Sequence, residues 1–237
     1  MAYVLGASSD HPDPALKRLD HLICRVPDIE RFHSHFINEL GFSEAWPIGR
    51  FWPEGRTSGI ALGGINLEFI QPNREAPKHA VTDTFVFEPT SISVAEKAFR
   101  RLGVQTRRFV KNESNPELLA LRGFEGDELH STQIICENLL LESPFPVPMF
   151  LCSYATRLRN RLSPTNPALG RPYGQVLAVE CQLGQPGEIG RLSDFGYLGQ
   201  VELVQLEDTF GEPKIRGIRM ETGPVDLKGI DPGFRFI

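Results

Sequence analysis

Apolar positions divide the first third of the chain into a strand, a helix and three further strands. A strand is predicted over residues 18–27, and Asp28 opens the helix after it, because its carboxylate can cap free backbone N–H groups. Apolar residues at helical spacing give this helix one buried face, and Gly41 ends it. Three short strands follow, over residues 43–50, 57–63 and 65–71. The predicted order is β-α-β-β-β.

The same order of elements starts again near residue 83. The predicted elements are a strand over 83–88, a helix over 94–102 and strands over 104–110, 132–136 and 149–154. A polar stretch over residues 111–128 is predicted to be a loop with a helical turn near Leu118–Leu121. The chain therefore carries two predicted β-α-β-β-β modules, the second less regularly spaced than the first.

The last third is predicted to be β-rich. A turn-rich link precedes three strands, over residues 176–183, 201–206 and 214–221, with a short helix near 188–194. Either a partial third module or an extension of an existing sheet would fit this pattern. The expected organisation is an N-terminal arm, two modules and a C-terminal extension, over residues 1–16, 17–75, 80–156 and 157–237. The expected fold class is α+β.

Composition narrows the class of partner. The chain has 237 residues, 41% of them hydrophobic and 23% charged, as is usual for a globular protein. The net charge of −5 comes with no basic stripe, which argues against nucleic acid as a partner. No apolar run approaches the roughly 20 residues of a membrane helix, and no secretory signal is evident, so we expect a cytoplasmic protein with no membrane partner. The four cysteines form no CxxC pair and are expected to be buried free thiols.

Two segments resemble a known superfamily. The run Leu-Asp-His-Leu-Ile-Cys-Arg-Val-Pro-Asp at 19–28, with Glu-Leu-Gly-Phe at 39–42, resembles the opening of a glyoxalase, bleomycin-resistance or extradiol-dioxygenase module. Gly-Gly-Ile-Asn-Leu-Glu-Phe-Ile at 63–70 resembles that module's last strand. These proteins form the vicinal-oxygen-chelate superfamily. The stretch from Pro146 to Phe150 and the C-terminal third are most similar to its uncharacterised glyoxalase-like branch.

The resemblance implies a fold and a candidate metal site. The two modules would form a curved mixed sheet around a cleft, and a homodimer is among the arrangements that it implies. By the superfamily's pattern, His21 and Glu68 would bind a divalent metal such as Fe, Mn, Zn, Ni or Co. Such a metal would act as a Lewis acid on substrate oxygens, with Glu68 or Tyr154 as general base.

The second module departs from that pattern. Its first strand carries no histidine, and its fourth-strand position falls near Cys152, Ser153 or Tyr154, none of which is a carboxylate. A third ligand would have to come from elsewhere in the chain or from modules swapped in a dimer. The alternatives within the chain are Glu88, His130 and Glu180.

Other side chains near the expected cleft are candidates for substrate binding. Trp46 and Trp52 would form an aromatic wall, with core packing as the alternative. Arg50 and Arg56 would pair with a substrate carboxylate, with surface charge as the alternative. Ser153 is expected to face the cleft together with Tyr154.

Two functions stay open at this point. One is a metal-dependent lyase, isomerase or dioxygenase that acts on a small oxygenated substrate. The other is a metal-free protein that binds or sequesters a small molecule, as the bleomycin-resistance branch does. His21 and Glu68 favour the enzyme, which we prefer, and the missing ligands favour the binding protein. For His21 the structural alternative is a strand histidine paired with a backbone carbonyl, and for Glu68 the alternative is a side chain that faces solvent.

Overall fold

Thirteen strands form two sheets in the computed structural model, which describes residues 3–5, 14–142, 147–206 and 211–237. The strands are β1 (Tyr3–Leu5), β2 (Leu16–Arg25), β3 (Ser43–Trp52), β4 (Gly55–Ala61), β5 (Asn66–Pro72), β6 (Val81–Pro89), β7 (Thr106–Glu113), β8 (Gln133–Leu141), β9 (Met149–Tyr154), β10 (Val176–Gln182), β11 (Glu202–Gln205), β12 (Lys214–Met220) and β13 (Arg235–Phe236). The α-helices are α1 (Ile29–Ser34), α2 (Ile92–Arg101), α3 (Pro116–Leu121) and α4 (Thr156–Leu162). Shorter helical segments span His35–Glu39, Gly126–His130 and Ile189–Phe195.

The larger sheet is built from two repeats of one unit. Its strand order is β3-β4-β5-β2-β6-β9-β8-β7. In each unit the first strand pairs in parallel with the last, β2 with β5 and β6 with β9, and β2 pairs with β6 in antiparallel to join the units. The paired β-α-β-β-β modules of an α+β fold are therefore confirmed.

The first helix begins and ends for local reasons. The Asp28 carboxylate accepts a hydrogen bond of 3.0 Å from the backbone N–H of Arg31, as expected of an N-terminal cap. Helix α1 buries Ile29 and Phe32, and the chain continues through the wider turn of a π-helix. Gly41 then takes a φ of +75°, which glycine adopts without strain.

The two faces of the eight-stranded sheet have different surroundings. One face packs against α1, α2 and the second sheet and carries most of the buried aromatic side chains of the strands, including Phe69, Phe85 and Phe87. The other face, with α3 and α4, encloses a smaller apolar cluster and the cleft described below. Alternation along β9 separates the two sides, because Leu151 joins the main core and Cys152 joins the smaller cluster.

Three predictions about local structure need correction. The N-terminal arm is not all loose, since β1 pairs with β11 across some 200 residues, a long-range contact that local pattern does not reveal. Residues 157–162 belong to α4 rather than to a turn-rich link, because Leu158 and Leu162 bury one side of an arginine-rich helical turn. The strand predicted over 104–110 runs on through Glu113, so the predicted loop begins later, and the helical turn near Leu118 is present as α3.

The strands of the C-terminal third, together with β1, form the second sheet. Its strand order is β1-β11-β10-β12-β13. No helix in the described ranges is long and apolar enough to cross a membrane. Residues 1–2 and 6–13 of the predicted arm, and Pro146 of the segment used for the resemblance, lie outside the described residues.

Candidate active site

His21 and Glu68 face each other across two neighbouring strands. In the parallel pairing of β2 with β5, His21 lies opposite Asn66 and Ile23 lies opposite Glu68. The His21 Nε2 atom is 3.2 Å from a Glu68 carboxylate oxygen, and the two residues are only 3% and 7% exposed. Glu68 therefore points into the interior of the cleft rather than into solvent.

A third side chain, Asp20, completes this group. Its carboxylate oxygen lies 2.8 Å from Nδ1 of His21. Adjacent residues of a regular strand point to opposite faces, but the β2–β6 register shifts between Leu19 and His21, so Asp20 is an extra residue in the strand. The two side chains can therefore meet. Sequence analysis missed Asp20, because this irregularity depends on the partner strand.

The imidazole is held as a cation between the two carboxylates. Burial lowers the pKa of His21, but the hydrogen bonds and charges of Asp20 and Glu68 outweigh it and raise the pKa to about 9. Both ring nitrogens then act as donors at neutral pH. The metal-free site thus contains a protonated imidazole between two acceptors.

The cleft beside this group has aromatic walls. Its open volume is about 60 Å³, enough for a few water molecules or one small ligand part. Trp46 and Phe150 stand edge-on to the His21 ring, with ring centroids 6.2 Å and 6.4 Å away. The remaining aromatic lining comes from Phe51, Trp52 and Tyr154. Such surfaces suit a planar or apolar ligand body.

Two cations lie at the rim, where the outer strands of the two modules approach each other. Lys111 on β7 donates to the Phe51 backbone carbonyl on β3, and its Nζ lies 3.7 Å from the centre of the Trp52 ring. Arg122, just after α3, has its guanidinium carbon 4.3 Å from the centre of the Phe51 ring. Burial and the neighbouring Arg122 lower the pKa of Lys111 to about 8.

The second module has different side chains at the positions equivalent to His21 and Glu68. His21 pairs with Val86 on β6, where the two modules join. On β5, His21 pairs with Asn66, and Glu68 lies two residues further along that strand. On β9 the residue two beyond the partner of Val86 is Cys152. The register thus places Cys152, rather than Ser153 or Tyr154, at the position equivalent to Glu68. The hydrogen bond with Cys136 and, after it, burial raise the pKa of Cys152.

The residues do not complete the metal centre that the resemblance implies. Among the described residues, no group of three His, Cys, Asp or Glu side chains is placed to hold a metal ion. Of the alternatives, Glu88 is ion-paired with two cations of β2, at 2.7 Å and 2.5 Å, and Glu180 lies in the second sheet. His130 is exposed in the segment after α3. His21 and Glu68 are thus two possible metal ligands, and the described residues supply no third one.

The structure brings some of the predicted substrate-binding residues to the cleft and leaves others outside. Trp46, Trp52 and Tyr154 are among the lining residues. Arg50 is exposed and lies outside the lining, and Arg56 pairs with Glu30 at 2.5 Å on the outer side. Ser153 is also outside the lining, as strand alternation requires when its neighbours Cys152 and Tyr154 face inward.

Comparison with known proteins supports the fold. No family model and no curated protein matches the sequence. Among solved structures, a hypothetical protein from Staphylococcus aureus is similar with a TM-score of 0.61 and 8% identity, over 93% of this chain and 98% of that one. A triple variant of 4-hydroxymandelate synthase from Streptomyces coelicolor is similar with a TM-score of 0.54 and 8% identity, over 87% and 71%.

A third similar structure is homoprotocatechuate 2,3-dioxygenase from Brevibacterium fuscum in complex with 3,4-dihydroxyphenylacetate. Its TM-score is 0.49 and its identity 15%, over 88% of this chain, which spans 65% of the dioxygenase chain. The dioxygenase and the synthase belong to the vicinal-oxygen-chelate superfamily. The likeness to the Staphylococcus aureus protein and to the synthase confirms the fold that the resemblance implies, and at 8% identity it shows the fold alone.

Proposed function

We propose that the protein binds a small oxygenated organic molecule in the cleft, with His21 and Glu68 facing the oxygen atoms of that molecule. The observation that carries this proposal is a set of buried polar atoms that have no partner. Nη1 of Arg122 and Oδ1 of Asn138 line the cleft, are inaccessible to solvent and form no hydrogen bond with the described residues. Buried polar atoms are satisfied in most proteins. Eight such atoms of the described residues have no partner, and these two belong to side chains that line the cleft, where a ligand could supply one.

Each side chain has a role in this proposal. The protonated His21 donates to a ligand oxygen, and Glu68 accepts a ligand hydroxyl or exchanges a proton with it. Trp46 and Trp52 pack against the ligand body. Burial raises the pKa of Tyr154 well above its ordinary value, so its hydroxyl stays protonated and acts as a donor rather than as a base.

A metal-dependent lyase, isomerase or dioxygenase is the second candidate function. One observation favours it: Asp20 engages Nδ1 of His21 and leaves Nε2 directed at Glu68. Histidines that bind metals typically have a carboxylate or carbonyl on their other ring nitrogen in this way. The similarity to 4-hydroxymandelate synthase is consistent with such an enzyme but is limited to the fold. In this candidate His21 and Glu68 are the protein's contribution to a divalent site, and a homodimer would have to add the rest.

Elemental analysis separates the two candidates. The protein is purified without chelator or histidine tag, incubated with Fe, Mn, Zn, Ni or Co, desalted and compared with His21→Ala and Glu68→Ala. The surface pair His33 and Glu44, 2.9 Å apart, supplies matched controls as His33→Ala and Glu44→Ala. We expect no stoichiometric metal. Near-stoichiometric metal that only the cleft variants lose would establish the metalloprotein instead.

Ligand binding is measured by intrinsic fluorescence. The chain has two tryptophans, Trp46 and Trp52, and both line the cleft, so their emission reports on that site. Small aromatic and aliphatic molecules that carry hydroxyl, oxo or carboxyl groups are screened for a saturable change. Binding that Glu68→Ala weakens would support the proposal. A complete screen without a saturable response would contradict it.

A further inference from the structure

The cleft contains two cations that form no ion pair with the described residues. Arg122 is only 8% exposed, and Lys111 is half-buried beside it. Among the described residues, no carboxylate lies within ion-pair distance of either cation. Buried cations are normally paired, because removing a charge from water is costly without a counter-charge.

The charged side chains of the site form two groups, one on the floor of the cleft and one at its rim. Asp20, His21 and Glu68 belong to β2 and β5 in the middle of the sheet, and both ring nitrogens of His21 have a carboxylate partner there. Lys111 and Arg122 belong to β7 and the segment after α3, at the side of the cleft where β7 approaches β3. A molecule in the cleft therefore meets hydrogen-bonding groups on the floor and uncompensated cations at the rim.

The contacts of the two cations are with ring faces and one carbonyl. Lys111 lies over Trp52 and Arg122 lies over Phe51, which offsets part of the cost of burial through cation–π attraction. Neither ring removes the formal charge, and the Nη1 atom of Arg122 still has no acceptor. A planar guanidinium with free N–H groups matches the two oxygens of a carboxylate.

We infer that Arg122 and Lys111 form an anion subsite and that the ligand of the cleft is a small carboxylate. Its carboxylate would accept from Arg122 and Lys111, its apolar or aromatic body would pack against the tryptophans, and a further oxygen atom, where the ligand carries one, would face His21 and Glu68. This inference rests on the proposed function, since it names the class of ligand for the same cleft. It also places in the second module the carboxylate-binding role for which Arg50 and Arg56 were candidates on sequence.

The test compares matched acids and amides. The fluorescence of Trp46 and Trp52 is titrated with acetate and acetamide, benzoate and benzamide, and phenylacetate and phenylacetamide, with inorganic phosphate as a separate arm. At least one acid should bind about tenfold or more tightly than its amide, the difference expected from charge-assisted hydrogen bonds. Arg122→Gln should remove most of this preference, so that the acid and its amide bind with similar affinity. The exposed Arg50→Gln variant is the control and should behave as wild type.

The outcomes separate the inference from the proposed function. Amides that bind as tightly as their acids would overturn the carboxylate assignment and leave the cleft a neutral ligand site. Phosphate that binds while all three acids fail would overturn it in favour of a different anion. An acid preference that survives in a folded Arg122→Gln variant would place the anion elsewhere. Failure of every acid, amide and phosphate would count against the proposed function as well.

Discussion

Asp20 and His21 are neighbours on one strand, and their side chains nevertheless form a buried contact of 2.8 Å. The extra residue in the β2–β6 pairing produces this geometry. The contact with Asp20 holds Nδ1 of His21 in place and directs Nε2 toward Glu68, whose carboxylate oxygen is 3.2 Å away. The orientation of the cleft histidine thus depends on a backbone irregularity in the strand that joins the two modules.

Replacing Asp20 should change the titration of His21. In metal-free Asp20→Asn protein the ring loses a hydrogen bond to a carboxylate and a favourable charge, so the pKa of His21 should fall below its value of about 9. NMR titration of the imidazole C–H signals measures it. Glu44→Gln, beside the surface His33, is the control and should leave His21 unchanged. An unaltered His21 pKa in Asp20→Asn would show that Glu68 alone holds the proton.

The same contact predicts the pH dependence of stability. The folded-state pKa of His21 is raised above the ordinary 6.5, so its contribution is fully present below that pH and is lost as pH rises through about 9. The stability advantage of wild type over Asp20→Asn should therefore shrink between pH 6.5 and 9. Urea melts of the two metal-free proteins at these pH values measure it. A difference that stays constant with pH would contradict the assignment.

Most of the fold could be predicted from the sequence, because it depends on local patterns. The Asp28 cap, the glycine stop at Gly41 and the Gly63–Gly64 turn mark the first module through short-range preferences. His21 and Glu68 could be paired in advance because the first and last strands of such a module lie side by side. The pairing of β1 with β11 could not, since nothing local distinguishes three strand residues near the chain start.

The two cations at the rim of the site could not be predicted from local patterns in the sequence. Lys111 lies on an outer strand whose outward residues are polar, a pattern that a surface loop also shows. Its contact with Phe51 and Trp52 arises only when the two outer strands of the sheet approach each other. Arg122 follows a six-residue helix in the same polar stretch. Burial of such cations is a property of the folded sheet, so a candidate anion subsite emerges only from the structure.

Lys111 should be unusually reactive for a lysine. Its pKa is lowered to about 8 by burial and by the charge of Arg122, so a large share of its amine is neutral at pH 8.5. A small acylating reagent used in limiting amount at that pH should modify Lys111 ahead of exposed lysines such as Lys97. Peptide mass spectrometry measures the order of modification. Labelling of Lys111 no faster than that of Lys97 would refute the lowered pKa.

Removing the unpaired charge of Arg122 should stabilise the ligand-free protein. Arg122→Met keeps much of the side chain's length and apolar contact with Phe51 but removes a buried guanidinium that has no carboxylate partner. We expect a gain of about 1 kcal/mol in the free energy of unfolding, together with loss of carboxylate binding. Urea denaturation measures the gain, and Arg50→Met at an exposed position should change stability little. A marked loss of stability would make Arg122 a structural residue.

The position of Trp46 depends on a glycine on the neighbouring strand. A Cβ atom added at Gly59 would lie 2.3 Å from the Trp46 ring, so Gly59→Ala forces the indole away from β4. Trp46 stands edge-on to His21, and its displacement should deform the cleft wall. We expect a loss of roughly 1–3 kcal/mol in stability and weaker binding of any cleft ligand.

Fluorescence measures both consequences of Gly59→Ala, since denaturation and ligand titration each report through the two cleft tryptophans. Gly190→Ala is the matched control, because a Cβ there meets no atom within 4 Å and its backbone φ lies outside the range that favours glycine. That control should keep the stability and the ligand affinity of wild type. If Gly59→Ala also kept both, the Trp46 ring would be free to move without cost, and it could not serve as a fixed wall for the ligand.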